Sequence, residues 1–306
     1  MVVTRFAPSP TGDLHLGHAY SAIYAHDLAL ERAGRFIVRI EDIDTTRCRY
    51  VFVERQLEDL AWLGLRWEEP VVRQSARMPL YAAALARLAA LDVTYPCFCS
   101  RSEIRGEIAA AGGAPQAQAP DGTFVYPGTC RGLDPGRRRS LIEAGRPYAI
   151  RLDVAKVGRR TGRLVWHDRK RGAQEVDASG FGDVVIARKE VGASYHLAVV
   201  VDDAAQGVSE VTRGEDLFAA TNIHRLLYAL LGLPPPVWHH HPLCRDASGR
   251  RLAKRDNDTA IRALRQSGVS ADDVRAMAAA MAAGHRAAAA GGALPARGGT
   301  PVGLDP

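Results

Sequence analysis

The chain has 306 residues, 47% of them hydrophobic and 24% charged, which is typical of a globular protein with one large or two modest domains. No run of about 18 apolar residues is present, so we expect no transmembrane helix and no membrane partner. The formal net charge of +6 suits a polyanionic partner, and five cysteines, an odd number, favour a reducing compartment such as the cytoplasm over a disulfide framework.

The first eighteen residues combine a strand, a tight turn and the start of a helix. Residues 2–6 predict a short buried strand, a turn with two prolines and a glycine follows, and residues 19–33 have a helical pattern. The first N–H groups of a helix favour an anion, and His15 and His18 are spaced so that both can face it. Gly17 is expected to let a flat base approach the backbone. The pattern favours a nucleotide site over a surface loop with two histidines.

A second strand is predicted at residues 35–40, and three acids follow it: Glu41, Asp42 and Asp44. Ligands of an open parallel sheet bind outside the carboxyl ends of its strands, so these acids are candidates to bind an ammonium group. The amphipathic run at residues 47–63 predicts a helix, and from local sequence alone the expected role of Asp44 is to cap that helix.

Three cysteines have the spacing of a metal site. Cys97 and Cys99 stand one residue apart, and Cys130 follows after a segment, residues 109–122, that predicts a mobile loop. Three thiolates can fill three corners of a tetrahedral zinc site, and such a site is expected to be closed and structural. The alternative is that the cysteines are small core residues.

The second half of the chain alternates basic and apolar segments. Basic runs at residues 137–139 and 156–171 are either solvated surface or contacts to RNA phosphates. The near-continuous apolar run Leu197–Val201 predicts a buried parallel strand. A further strand is predicted within residues 207–214. The three histidines at 239–241 lack the helical spacing of a metal site and are expected to be structural.

The end of the chain is rich in alanine and glycine. Helices are predicted at residues 261–264 and 274–285. Residues 291–306 contain little to bury and are expected to be disordered.

Four segments resemble class I aminoacyl-tRNA synthetases of the glutamyl type. Residues 5–12 and 15–18 resemble the opening of these enzymes, and residues 39–44 resemble their Arg-x-Glu-Asp-x-Asp motif. Residues 250–255 resemble the second class I signature, with Ala253 in place of the usual serine. The resemblance implies an α/β fold: a Rossmann-like, doubly wound parallel sheet with a zinc-bearing insertion and a short helical C-terminal tail.

The same resemblance implies the domain limits. The two halves of the catalytic domain are expected at residues 1–94 and 181–260, and the insertion at residues 95–180. The helical tail is expected at residues 261–290, followed by the disordered end.

The resemblance also implies an activity and the residues that perform it. L-Glutamate would be activated with ATP and Mg²⁺, and passed to an RNA hydroxyl. The expected catalytic residues are His15, His18 and Lys254, and ATP binding adds Gly17 and Arg255. The expected glutamate-binding residues are Arg5, Ala7, Ser9, Glu41, Tyr195 and Arg213. The expected zinc ligands are Cys97, Cys99, Cys130 and Tyr126, which matches a tyrosine ligand in the short members of the family.

Two features favour the short type of family member. Val199 stands where full-length glutamyl enzymes usually carry asparagine, and the chain stops before their anticodon-binding region. The resemblance then implies a monomer that binds the tRNA(Asp) anticodon stem-loop and glutamylates its queuosine base. A truncated glutamyl-tRNA synthetase, a ligase of the same fold with another acceptor, and a catalytically silent RNA-binding protein remain alternatives. Intact His15, His18 and Lys254 argue against the silent protein.

Overall fold

The computed structural model describes residues 1–110, 118–120, 122, 124–244 and 260–290, with side chains described up to residue 283 in the last helix. The strands are β1 (Val3–Phe6), β2 (Arg35–Ile40), β3 (Glu68–Arg73), β4 (Thr94–Cys97), β5 (Ala149–Leu152), β6 (Val165–Asp168), β7 (Gly172–Glu175), β8 (Val185–Ala187), β9 (Glu210–Gly214) and β10 (Val237–His241). The helices are α1 (Leu16–Glu31), α2 (Tyr50–Trp62), α3 (Met78–Ala90), α4 (Arg101–Ala110), α5 (Pro135–Glu143), α6 (Val154–Thr161), α7 (Tyr195–Ala205), α8 (Ala220–Leu230), α9 (Ile261–Gln266) and α10 (Ala271–Ala290). Among these helices, none is both long and apolar enough to cross a bilayer.

Parallel strands form the centre of the molecule. β1 pairs with β2 and β2 with β3, all parallel, while β10 pairs in parallel with both β9 and β6. The two sheets meet at β1, because the N–H of Ser209, just before β9, donates to the carbonyl oxygen of Val3 at 3.0 Å. The α/β class predicted from the sequence is therefore confirmed, as are the strands at the start of the chain and at residues 35–40.

A separate antiparallel sheet carries the cysteine-containing segment. Its strand order is β4-β5-β8, and a small core packs beside it from Tyr95, Cys97, Phe98, Tyr126 and Cys130. β6 and β7 follow β5 in the chain, yet they belong to the sheet of β9 and β10, in which β6 pairs with β10 and β7 with β6. The domain limits at residues 95 and 180 stay a prediction.

The strand predicted at Leu197–Val201 is wrong, because this segment lies within helix α7. The residues from Leu197 to Val200 are each at most 2% exposed, since α7 packs against α3 on one side and α8 on the other. Where consecutive residues of a helix are all buried, the sequence is an unbroken apolar run, and periodicity cannot distinguish it from a buried strand.

The last two helices tie the end of the described chain to its beginning. α9 and α10 confirm the two helices predicted for this region, and α10 packs against α1. The N–H of Ile261 donates to the carbonyl oxygen of Leu14 at 2.8 Å, immediately before His15. Residues 291–306, which we expected to be disordered, lie outside the described residues, as does most of the predicted mobile loop.

Candidate active site and metal centre

A cavity of about 240 Å³ opens at the carboxyl ends of four strands. Ala7 follows β1, Glu41 follows β2, Gly214 ends β9 and Leu243 follows β10, and all four line the cavity. This is the position in which open parallel sheets bind ligands.

Eight of the residues predicted to bind glutamate or ATP line this one cavity. They are Arg5, Ala7, His15, Gly17, His18, Glu41, Tyr195 and Arg213. Ser9 lines an adjoining cavity of about 90 Å³ that shares Glu41 and Tyr195 with the first. Lys254 and Arg255 lie outside the described residues.

The start of helix α1 presents two stacked imidazoles to the cavity. The rings of His15 and His18 lie 3.8 Å apart between centroids, at 29° to each other. The N–H of Gly17 donates to Nδ1 of His15 at 3.1 Å, and the N–H of His15 donates to Nδ1 of His18 at 3.2 Å. A nitrogen that accepts from an N–H carries no proton, so each neutral ring holds its proton on Nε2.

Gly17 leaves space for the imidazole ring of His15. A Cβ atom at Gly17 would lie 3.0 Å from Cε1 and 3.1 Å from Nδ1 of His15, closer than such atoms normally approach. The glycine therefore makes room for the His15 ring, in addition to any room that it gives a ligand.

Arg5 and Glu41 belong to a buried charge network that includes Arg39 and the α7 residue Asp203. Asp203 accepts from Nε of Arg5 at 3.2 Å and from Arg39 at 2.8 Å, and Arg39 also donates to Glu41 at 3.3 Å. Burial alone would raise the pKa of Asp203, but the two guanidinium groups bring it below its usual range. Burial raises the pKa of Glu41, against the pull of Arg39.

Arg213 is a buried cation of a different kind. It is 6% exposed, and its side chain donates to Tyr195, Thr221, His224 and His240. No carboxylate among the described residues forms an ion pair with it, and burial lowers its pKa. A buried guanidinium that forms no ion pair with a carboxylate of the described residues, at the wall of a polar cavity, favours an anionic ligand.

The role predicted for Asp44, capping of α2, is wrong. The helix begins at Tyr50, and at its N-cap, Arg49, no side chain accepts a hydrogen bond from the helix. Asp44 instead accepts from the hydroxyl of Thr46 at 2.6 Å and from Arg47 at 2.8 Å. These two bonds lower the pKa of Asp44 to about 2, and they occupy the carboxylate in a turn that precedes the helix.

The three consecutive histidines are the last three residues of strand β10, and all three are buried. His239 contacts Glu210 at 2.7 Å and His240 contacts Asp168 at 2.7 Å, which agrees with a structural role. His241 lines the cavity as well. Sequence reasoning missed the contacts of His240 and His224 with Arg213, since no local spacing connects those positions.

A second group of residues forms the candidate metal centre. The sulfur atoms of Cys97, Cys99 and Cys130 all lie within 4.8 Å of one another, and those of Cys99 and Cys130 are 3.4 Å apart. A Zn–S distance of about 2.3 Å places the sulfurs of a tetrahedral site about 3.8 Å apart, so the cluster fits a metal ion. Burial raises the pKa of Cys99 to about 12, so binding would require the metal to displace its proton.

Tyr126 lies against the same cluster. Its hydroxyl is 3.5 Å from the sulfur of Cys99 and accepts the N–H of Cys130 at 2.7 Å. The guanidinium of Arg151 lies 3.8 Å from the centre of the Tyr126 ring. Burial, and after it the hydrogen bonds to the three cysteine sulfurs, raise the pKa of the phenol, whereas the N–H of Cys130 acts in the opposite direction.

The basic runs differ in how many of their charges are paired. Between residues 156 and 171, Lys156, Arg163, Arg169 and Arg171 each have a carboxylate partner. The run at residues 137–139 lies on the exposed helix α5, and among the described residues it forms no ion pair. The run at residues 137–139 is therefore the stronger candidate for contacts with a polyanion.

Comparison with known proteins identifies the family to which the chain belongs. The model of the family "tRNA synthetases class I (E and Q), catalytic domain" matches residues 1–284, so the chain belongs to this family.

Within the family, the chain is similar to the Glutamyl-Q tRNA(Asp) synthetase of Rhodobacter capsulatus, with 51% identity over 90% of this chain and 98% of that protein. The protein of the same name from Nocardia farcinica is 42% identical over 89% of this chain and 82% of its own length. A crystal structure of a glutamate tRNA ligase from Elizabethkingia meningosepticum, in complex with its amino acid, superposes with a TM-score of 0.70 at 31% identity. That match covers 84% of this chain and 52% of the ligase, so the chain spans about half of that enzyme.

Proposed function

We propose that the protein activates L-glutamate with ATP to glutamyl-adenylate and pyrophosphate, and then transfers the glutamyl group to tRNA. The observation that carries the proposal is the buried Arg213, whose charge has no carboxylate partner among the described residues, in a cavity that also contains Glu41 and the two stacked histidines. A dicarboxylic amino acid supplies the missing anion, and its ammonium group suits Glu41.

The glutamate site consists of residues from three strand ends and one helix start. Arg5 and Arg213 would bind the two carboxylates, Glu41 the ammonium group, and Tyr195 would add a hydroxyl contact. Ala7 and Ser9 would complete the wall between β1 and α1. Glutamine would bind less well, because its amide offers one acceptor in place of two and adds a donor.

The ATP site would use the N-terminus of α1. His15 and His18 would donate from Nε2 to phosphate oxygens, with Gly17 beside them and Lys254 and Arg255 supplied by the second signature segment. Mg²⁺ bound with ATP would offset phosphate charge. The substrate carboxylate attacks the α-phosphate in line, so the protein chiefly positions groups and offsets the charge that develops on the leaving pyrophosphate.

The acceptor that we favour is the queuosine base in the anticodon stem-loop of tRNA(Asp). The Rhodobacter relative, a Glutamyl-Q tRNA(Asp) synthetase by name, matches this chain over 98% of its length. Unstacked loop bases are the part of RNA that proteins read most readily, and the exposed basic helix α5 is a candidate for backbone contacts. The superposition on a glutamate tRNA ligase supports a second candidate, the 3′ end of tRNA(Glu).

Zinc is the metal that we propose for the cysteine cluster, with Tyr126 as the fourth ligand. Three thiolates and a phenolate leave no open coordination position, so the ion would hold the segment beside β4 in place rather than take part in catalysis. We also propose that the protein acts as a monomer.

Glutamate-dependent exchange of pyrophosphate into ATP tests the proposal. We expect exchange without RNA, and a steep rise in the KM for glutamate in Arg5→Ala and Arg213→Ala with the KM for ATP little changed. Arg35→Ala is the control, because Arg35 lies on the same sheet but is exposed and away from the cavity. No exchange with wild-type protein would refute the activity, and unchanged KM values in both variants would refute the site.

A further inference from the structure

The neutral acceptors around Arg213 form a connected hydrogen-bond chain. Nε of Arg213 donates to Nε2 of His240 at 3.1 Å, one terminal nitrogen donates to Nδ1 of His224 at 3.0 Å, and the other donates to the hydroxyl of Thr221 at 2.5 Å. These three residues do not line the cavity, although Arg213 does. They therefore contact the guanidinium from the side away from a ligand.

The directions of the hydrogen bonds around His240 require its imidazole ring to be neutral. Its Nε2 accepts from Arg213 and carries no proton, so its Nδ1–H donates to Asp168 at 2.7 Å. The other oxygen of Asp168 accepts the backbone N–H groups of Lys170 and Arg171, each at 2.9 Å. Asp168 thus holds one tautomer of His240, and its own charge stays one residue removed from Arg213.

His224 is fixed in the same way on the other side. Its Nδ1 accepts from Arg213, so its Nε2–H donates to Nδ1 of His196 at 3.1 Å. Burial and the neighbouring guanidinium keep the pKa of His224 well below its usual value. The ring stays neutral while it holds the cation.

Arg213 differs from the nearby arginines in the charge of the groups that accept its hydrogen bonds. Arg5 and Arg39 share the carboxylate of Asp203, at 3.2 and 2.8 Å, so their charges are partly compensated inside the protein. Arg213 is about as buried as these two arginines, but the described residues that accept hydrogen bonds from it are neutral.

We propose that His224, His240 and Thr221 are positioning residues that hold Arg213 without pairing its positive charge with a carboxylate, and that this neutrality sets the preference for glutamate over glutamine. The inference rests on the proposed glutamate activation. A carboxylate at any of these positions would pair with Arg213 and remove the attraction for the substrate carboxylate. A neutral acceptor of the same shape would keep it.

Two matched pairs of variants isolate the charge from the shape. His224→Gln keeps one acceptor and one donor, as the neutral ring does, and His224→Glu differs from it only by the carboxylate. Thr221→Asn and Thr221→Asp repeat the comparison at a second contact, in case one charged variant does not fold. Thermal unfolding and the KM for ATP are measured on all four.

We expect the KM for glutamate to rise about 10- to 100-fold in His224→Glu relative to His224→Gln, the value of one charge-assisted contact. The KM for ATP should stay unchanged, and glutamine should become a better substrate relative to glutamate. The Thr221 pair should show the same difference. If folded Glu and Asp variants match their amide counterparts, the inference is wrong while the proposed function stands. If wild-type protein does not activate glutamate, the proposed function itself fails.

Discussion

Asp59 has a buried carboxyl group, and its burial destabilises the ionised form. It lies on α2 and is fully buried, and neither of its oxygens has a hydrogen-bond partner in the part of the chain that the structure describes. Burial, and after it the like charge of Asp13, raises the pKa of Asp59 to about 7. We predict that this one residue makes the protein less stable as the pH rises above 5.

The sign follows from the two pKa values. Because the folded pKa exceeds the unfolded value of about 3.9, the stability is fully present below about pH 4 and is lost as the pH rises through 7. At about 1.36 kcal/mol per pH unit, Asp59 would cost at most roughly 2.6 kcal/mol between pH 5 and pH 8. Local relaxation and water entry reduce such penalties, so we expect about 1–2 kcal/mol.

Asp59→Asn should remove this pH dependence. A buried amide has its own constant cost, so the quantity to compare is the change in the free energy of unfolding between pH 5 and pH 8, measured in urea for each protein. The exposed residue Asp92, whose pKa is lowered by Lys156, is not among the groups that shift the pKa of Asp59, so Asp92→Asn provides the control and should follow wild type over this range. Parallel pH curves for wild type and Asp59→Asn would refute the reasoning.

The remaining predictions concern the reaction and the metal. Lys254→Ala should lower the pyrophosphate exchange rate by about 10²-fold with ATP binding largely retained, because a cation aimed at the leaving group acts mainly in the transition state; an unchanged rate would contradict its role. Protein purified without chelator should contain about one zinc ion per chain by metal analysis. Cys130→Ser should lose the zinc and stability, whereas Cys48→Ser, outside the cluster, should keep both; zinc-free wild-type protein would refute the site.

The sequence predicted the elements that have a clear period or a short apolar core. β1 and β2 were found within a few residues of their ends because they are short, almost wholly buried runs, and α2 because only one face of the helix is buried. The prediction for α7 was wrong because its central residues, 197–200, are all buried and show no helical period. Asp202 and Asp203, near the end of this helix, form ion pairs with Arg39 of β2, and Asp203 also pairs with Arg5 of β1; local sequence does not reveal these contacts.

Much of the candidate site was predictable through resemblance, and the family is confirmed by the comparisons. Eight of the residues predicted to bind glutamate or ATP line one cavity and Ser9 lines the adjoining one, although their individual roles stay predictions. The surroundings of Arg213 were not predictable. His224 lies on helix α8 and His240 on strand β10, and Asp168, which contacts His240, stands 72 positions before it, so only the fold brings the two histidines to the guanidinium of Arg213.

Transfer of labelled glutamate to purified tRNA tests the central claim most directly. The substrates are tRNA(Asp) with queuosine, tRNA(Asp) without it, and both again after the 3′-terminal ribose has been oxidised by periodate, with queuosine introduced or protected so that its own diol survives. A glutamyl group placed on the base does not need the terminal ribose. We predict transfer that requires queuosine and survives oxidation of the 3′ end. Transfer to tRNA(Glu) that oxidation abolishes would contradict the account and indicate an ordinary glutamyl-tRNA synthetase activity.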